Sequence, residues 1–224
     1  MQVIPHQVEK RSGLSLLQNI PMFAGLPDVQ LEQLARMAIH RKVTRHTTIV
    51  RAGDSTDSLF VIMSGRAKVL NRDTEGREVI LTVLGAGECF GEMALIDGSP
   101  RSADVIAQEN CDLLAITRGD FTRVLTENVN LCLNIMKSLV LRLRDANQKI
   151  ESLALMDVYG RVAKLLFDSS IEEFGLRVIR RKVSKQDMAK MVGASREMVS
   201  RVMKDLEHRG YISVEAGRIV LKEN

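Results

Sequence analysis

The stretch Ser184-Lys-Gln-Asp-Met-Ala-Lys-Met-Val-Gly-Ala-Ser-Arg-Glu-Met-Val-Ser-Arg-Val-Met-Lys-Asp-Leu206 sets how the last third of the chain folds. Met188, Ala189 and Val192 give a first helix one apolar face. Gly193 stands where a tight turn needs a left-handed residue. Ser195 offers its hydroxyl to cap a second helix, whose inner face is Val199, Val202, Met203 and Leu206. The outward residues of that helix include Arg196, Glu197, Ser200, Arg201 and Lys204. Five residues along a helix rise about 7.5 Å, close to two base-pair steps. Arg196 and Arg201 therefore each present a guanidinium fork suited to a guanine, and Glu197 an acceptor for a cytosine amino group. Glu197 and Arg201 are equally an i,i+4 pair that steadies any exposed helix by about 0.2–0.5 kcal/mol. Spacing alone leaves both readings open.

The surroundings favour base reading. Downstream, Tyr211-Ile-Ser-Val, a turn at Glu215-Ala-Gly217 and Arg218-Ile-Val-Leu221 predict a small β-hairpin. Residues 159–224 hold 14 Lys+Arg against 9 Asp+Glu, a balance of +5, whereas residues 1–158 hold 18 against 19. A basic C-terminal module on a nearly neutral remainder predicts a polyanionic partner, double-stranded DNA.

Upstream, no Gly or Pro lies between Asp120 and Tyr159, and a long helical pattern runs from near Arg118. Ile135, Leu139, Leu143, Ala146, Ile150 and Leu153 make a narrow apolar seam of about 3.5-residue period, the signature of a coiled-coil homodimer. The competing reading packs that stripe on the chain's own β-domain. From Lys42 to about Thr117, short β-branched or aromatic stretches alternate with Gly53-Asp54, Ser64-Gly65, Glu75-Gly76 and Gly85-Ala-Gly87. That punctuation predicts an antiparallel sandwich or barrel. Between Leu14 and Ile39 the apolar spacing is helical, broken by Pro21 and Pro27; after Gly160 a helix over 161–167 and a polar connection lead to the helix pair.

Composition closes off other classes. With 45% hydrophobic and 27% charged residues the chain reads as a globular protein. No apolar run approaches the roughly 18–20 residues of a membrane helix, and the first thirty residues lack a secretory pattern, so a cytoplasmic protein is expected. Cys89, Cys111 and Cys132 form no CxxC pair, and His6, His40, His46 and His208 show no metal-ligand spacing with them. No metal, haem or iron–sulfur cluster is therefore expected. The ionisable residues show no nucleophile–base–orienter grouping, so the chain is not read as an enzyme.

A second constellation lies between strands: Phe90-Gly-Glu-Met-Ala-Leu-Ile-Asp-Gly-Ser-Pro-Arg-Ser-Ala103. A glycine opening one turn of helix offers free N–H groups to an anion. Arg101 adds a guanidinium for a phosphodiester, Ser102 a neutral donor, and Glu92 an acceptor for a ribose hydroxyl. Read alone, Glu92 and Arg101 are also a candidate internal ion pair closing a loop.

The segment from Val192 to Arg201 resembles the recognition segment of the CRP/FNR family. Phe90 to Ala103 is similar to the phosphate-binding cassette of cyclic-nucleotide-binding domains. The resemblance covers nearly the whole chain after residue 20. It implies an α+β fold: an N-terminal extension (1–19), a cyclic-nucleotide-binding β-roll (20–127), a long dimerisation helix (128–156) and a winged helix-turn-helix (157–224). It also implies a bacterial transcription regulator, allosterically controlled, which binds a near-palindromic TGTGA-like site and works with RNA polymerase. By that resemblance Arg196, Glu197 and Arg201 read bases, while Ser184, Gln186, Ser195, Gly217 and Arg218 sit near phosphates. Gly91, Glu92, Arg101 and Ser102 become effector contacts, Arg142 lies near the base, and Asp157 is the hinge. Where the enterobacterial member has adjacent threonine and serine holding adenine, this chain has Ala146 and Asn147. Asn147 keeps a donor and an acceptor; Ala146 has neither. Cyclic AMP is the expected effector, with cyclic di-GMP or loss of ligand control as alternatives.

Overall fold

The computed structural model describes residues 17–18, 20–55, 57–180, 183–215 and 217–222. Residues 1–16 and 19, most of the expected N-terminal extension, lie outside the described residues. The chain divides into two compact units, one comprising residues up to 75 with 81–142, the other residues 76–80 with 143–224.

Up to Thr117 the chain is built on antiparallel strands: β1 (Ile39–Val43), β2 (Thr48–Val50), β3 (Ser58–Ser64), β4 (Ala67–Arg72), β5 (Glu78–Leu84), β6 (Cys89–Phe90), β7 (Asp104–Ala107) and β8 (Cys111–Thr117). They form two four-stranded sheets, β1-β8-β3-β6 and β2-β7-β4-β5. Central strands β3 and β8 are buried on both faces, which is why their sequences run as continuous apolar stretches. Phe60, Ile62, Leu113 and Ala115 join one core with Val50 and Val105 from the other sheet. Leu59, Val61, Leu114 and Ile116 join a second core with Phe23, Leu31 and Leu34 near the N-terminus and Phe121, Val124, Leu131 and Ile135 after the strands. Leu17 is fully buried in that second core, so packing begins inside the segment read as an extension.

Two boundaries differ from the sequence expectation. The first strand begins at Ile39, not near Lys42, because β1 carries His40, Arg41 and Lys42 on an exposed edge and hides its strand character. The helical pattern after the strands is two helices, α3 (Arg118–Thr126) and α4 (Val129–Leu155), following α1 (Asp28–Met37) and the one-and-a-half-turn α2 (Glu92–Asp97). No Gly or Pro marks the break. Asn128 makes it: its amide nitrogen donates to Val124 O (3.2 Å) and Gln30 Oε1 (2.6 Å), competing for helix carbonyls.

The second unit contains α5 (Val158–Ser169), β9 (Ile171–Glu173), β10 (Leu176–Ile179), α6 (Lys185–Val192), α7 (Arg196–His208), β11 (Ile212–Glu215) and β12 (Arg218–Leu221). The helices pack Val162, Leu166, Met188, Val192, Val199, Met203 and Leu206 against Ile179, Ile212 and Ile219 of a β11-β12-β10-β9 sheet. Helix α5 is longer than expected. The connection read as polar contains the β9–β10 hairpin, turned by Phe174 (φ 50°) and Gly175 (φ 77°). A phenylalanine at the first left-handed position gives no Asn-Gly or Asp-Gly signal, so the hairpin was invisible in sequence.

The apolar seam of α4 is split. Ile135 is buried and Leu139 half-buried against the first unit's own core, as the competing reading requires. Further along, Leu143 is 62% exposed, Ile150 64% and Leu153 54%. Those three side chains are more than half exposed among the described residues.

Candidate functional site

Residue 91 must be glycine for two reasons. It sits in the left-handed region (φ 89°), and a Cβ there would lie 2.1 Å from Arg101 Nη1. The close approach lets Arg101 Nη1 donate to Gly91 O (2.8 Å), while Nη2 donates to Ser58 O. Arg101 is only 5% exposed; burial lowers its pKa from the usual arginine value, with the charge of Glu92 acting against that. A guanidinium stays charged in any such setting. The two carbonyls fix the plane of the fork in advance of any ligand.

Glu92, at α2's first position, is 2% exposed. Its Oε1 accepts from Arg142 Nη1 of α4 at 2.6 Å, and Arg142 Nη2 donates to Cys89 O at 2.6 Å. The ion pair of Glu92 thus runs to Arg142, which corrects the alternative that it closes a loop with Arg101. The other oxygen, Oε2, is buried and accepts no hydrogen bond. A buried carboxylate oxygen without a donor costs about 1–3 kcal/mol, and no described residue supplies one to Oε2. The neighbouring Cys89 thiol is pushed up to about 12 by burial, reinforced by the charge of Glu92, and stays protonated.

Arg118, at the start of α3, went unnoticed in sequence. It donates to Leu95 O and Ala94 O (2.9 Å each) at the far end of α2, and to Asp57 Oδ1 (3.0 Å). A cation on those terminal carbonyls fixes the helix that carries Glu92. Nothing in local spacing pairs residue 118 with residue 94. Ser102 follows Arg101 and is exposed; Asn147, five residues beyond Arg142 along α4, is exposed as well.

In the second unit the expected helix-turn-helix is present. Ser184 Oγ accepts from Asp187 N (3.0 Å) to cap α6, and Ser195 Oγ accepts from Met198 N (3.2 Å) to cap α7. Gly193 ends α6 at φ 63°. Both serines spend an oxygen lone pair on the cap, and the Ser195 hydroxyl donates to the Glu197 carboxylate. Arg196, Glu197 and Arg201 are exposed together on α7, and Gln186 is exposed on α6. The Glu197 carboxyl lies below the usual carboxylate range through its own backbone amide and Ser195, aided by Arg196 and Arg201; it remains an ionised acceptor. Gly217 (φ 81°) and Arg218 form the exposed end of the β11–β12 wing. Asp157 caps α5, accepting from Gly160 N at 2.8 Å.

Comparison with known proteins matches both units. Residues 40–128 fit the cyclic nucleotide-binding domain model and residues 160–223 the Crp-like helix-turn-helix domain model. The cAMP-activated global transcriptional regulator Vfr of Pseudomonas aeruginosa is 33% identical over 205 residues, 86% of this chain and 94% of Vfr. The cAMP-activated global transcriptional regulator CRP of Haemophilus influenzae is 32% identical, over 80% of this chain and 82% of that protein. Among solved structures, the c-di-GMP-responsive global regulator CLP of Xanthomonas campestris superposes with a TM-score of 0.75 at 27% identity, covering 88% of this chain and all of that one. No helix among the described residues is long and apolar enough to cross a membrane.

Proposed function

The chain belongs to the CRP/FNR family of DNA-binding transcription regulators, and on that premise we propose that it is a homodimer whose affinity for a near-palindromic, TGTGA-like site is raised by cyclic AMP. The chain carries a cyclic nucleotide-binding domain and a Crp-like helix-turn-helix domain, and the family is one of transcription regulators, not enzymes. The observation that carries the effector reading is the donorless Glu92 Oε2 beside a pre-oriented Arg101. The ribose 2′-hydroxyl donates to Glu92 Oε2. The phosphodiester takes the Arg101 fork and the Ser102 hydroxyl, and Gly91 leaves room for it. Asn147 bonds the adenine, and Arg142 faces the base while it keeps hold of Glu92. 2′-Deoxy cyclic AMP should bind at least about tenfold more weakly than cyclic AMP, since one hydrogen bond to a charged group is worth about 1.5–3 kcal/mol. Equal affinity in calorimetric titration would remove Glu92 from the proposed role.

Cyclic di-GMP is the second reading, favoured by the likeness to CLP and by Ala146, which supplies no adenine contact. A regulator indifferent to ligand is the remaining alternative.

The mechanism is a population shift. Residues 20–127 bind the effector, residues 128–156 pair two protomers, and residues 157–224 bind DNA. Ligand completes the Glu92–Arg142 cluster, Arg142 passes the change to α4, and rotation at Asp157 sets the two α7 helices about 34 Å apart, one DNA turn. Arg196, Glu197 and Arg201 read base edges. Ser184, Gln186, Ser195, Gly217 and Arg218 hold phosphates, and RNA polymerase is the partner at the promoter, in the cytoplasm. Arg201→Ala should weaken operator binding by about 1–3 kcal/mol, roughly 5- to 150-fold, and relax preference at one guanine. Competition by operators substituted at each position checks it. An unchanged preference at every guanine would contradict the assignment.

A further inference from the structure

The main chain of Arg101 is laced to the turn between β2 and β3. Gly53 N donates to Arg101 O (2.8 Å), and Arg101 N donates to Asp54 O (3.0 Å). The turn leaves β2 where its ladder with β7 shifts register between Thr48 and Val50. Ala52 N lies beyond that irregularity, and the Asp104 carboxylate takes it, Oδ1 accepting at 2.8 Å. Oδ2 of the same carboxylate pairs with Arg72, the last residue of β4. Asp104 is 7% exposed and opens a strand that otherwise reads Val-Ile-Ala. Aspartate is disfavoured in strands, and a buried carboxylate is tolerated only when paired and hydrogen-bonded. Such a local exception points to a role near a functional site.

We infer that Asp104, held by Arg72, is a positioning residue for the effector site. It fixes the 51–54 turn through Ala52, the turn fixes the main chain of Arg101, and effector affinity depends on the result. The inference rests on the proposed role of Arg101 as the phosphate ligand. Asp104→Asn keeps the shape and an acceptor for Ala52 but loses the charge facing Arg72; Asp104→Ala loses both.

The test uses the full-length chain, with cyclic AMP affinity measured by calorimetry and amide hydrogen exchange followed at Gly53 and Arg101. Asp104→Ala should raise the Kd at least tenfold and speed both amides at least tenfold, with Asp104→Asn between it and wild type. In an Arg101→Ala background the same change should shift the residual affinity less than twofold, because coupled residues do not add. Equal losses in the two backgrounds, or exchange unchanged in Asp104→Ala while the wild type binds cyclic AMP, would overturn this role alone. A wild type that binds no cyclic nucleotide would overturn the effector reading and this role with it. Should Asp104→Ala fail to fold, Asp104→Asn and Arg72→Met carry the same comparisons.

Discussion

Arg101→Ala is expected to abolish effector control: cyclic nucleotide binding should fall by about 30- to 1,000-fold, and operator affinity should no longer respond to ligand. The size follows from losing a bidentate, charge-assisted contact between a phosphodiester and the guanidinium of an arginine only 5% exposed, about 2–4 kcal/mol. The guanidinium also holds Gly91 O and Ser58 O, so its removal leaves two carbonyls short of a partner. Arg101→Lys separates the two effects. A lysine keeps the charge but reaches as a point rather than a fork, and should recover part of the affinity without restoring it. Calorimetric titration with cyclic AMP measures the loss, and a circular dichroism melt records any cost to folding. An Arg101→Ala protein that binds within threefold of wild type would dissociate the buried guanidinium from the effector.

The second expected result concerns the exposed half of the α4 seam. Ile150→Asp is expected to convert the proposed dimer of about 50 kDa to the 25.0 kDa chain, as read by light scattering on a sizing column. In a two-fold pair the substitution enters twice at one contact, opposing two carboxylates where two apolar side chains met. Burying unpaired charge costs several kcal/mol, comparable with the whole stability of a small interface. Operator binding falls with it, since a lone protomer reaches one half-site. The first unit should keep its fold, because the seam residues that serve its own core, Ile135 and Leu139, lie four turns and three turns back along the helix. A dimer that survives Ile150→Asp would place the protomer contact elsewhere.

Much of this was legible in the residues. The helix-turn-helix declares itself because its cues are local: Gly193 at the turn, Ser195 as a cap, and an inner face at helical spacing; the cap by Ser184 is a finding of the structure. Glycine-punctuated apolar stretches likewise announce the antiparallel sandwich. What stayed hidden depends on partners distant in sequence. Glu92 finds Arg142 fifty residues away, Arg118 reaches back to Ala94 and Leu95, and Asp104 serves an amide fifty-two residues upstream. The β9–β10 hairpin was missed for a different reason, the unusual Phe174 at its turn. The seam on α4 is visible as a periodicity, but its division between residues packed on the chain's own core and residues left exposed is a property of packing, which spacing does not encode.

Operator binding by fluorescence anisotropy, with and without cyclic AMP at one stated salt concentration, bears most directly on the proposed switch. The account predicts at least a tenfold gain in affinity on adding cyclic AMP, about 1.4 kcal/mol of coupling, and no gain in Arg101→Ala. Tight binding that is the same with and without cyclic AMP would contradict cyclic AMP as the activator and leave the DNA-reading surface of α7 standing.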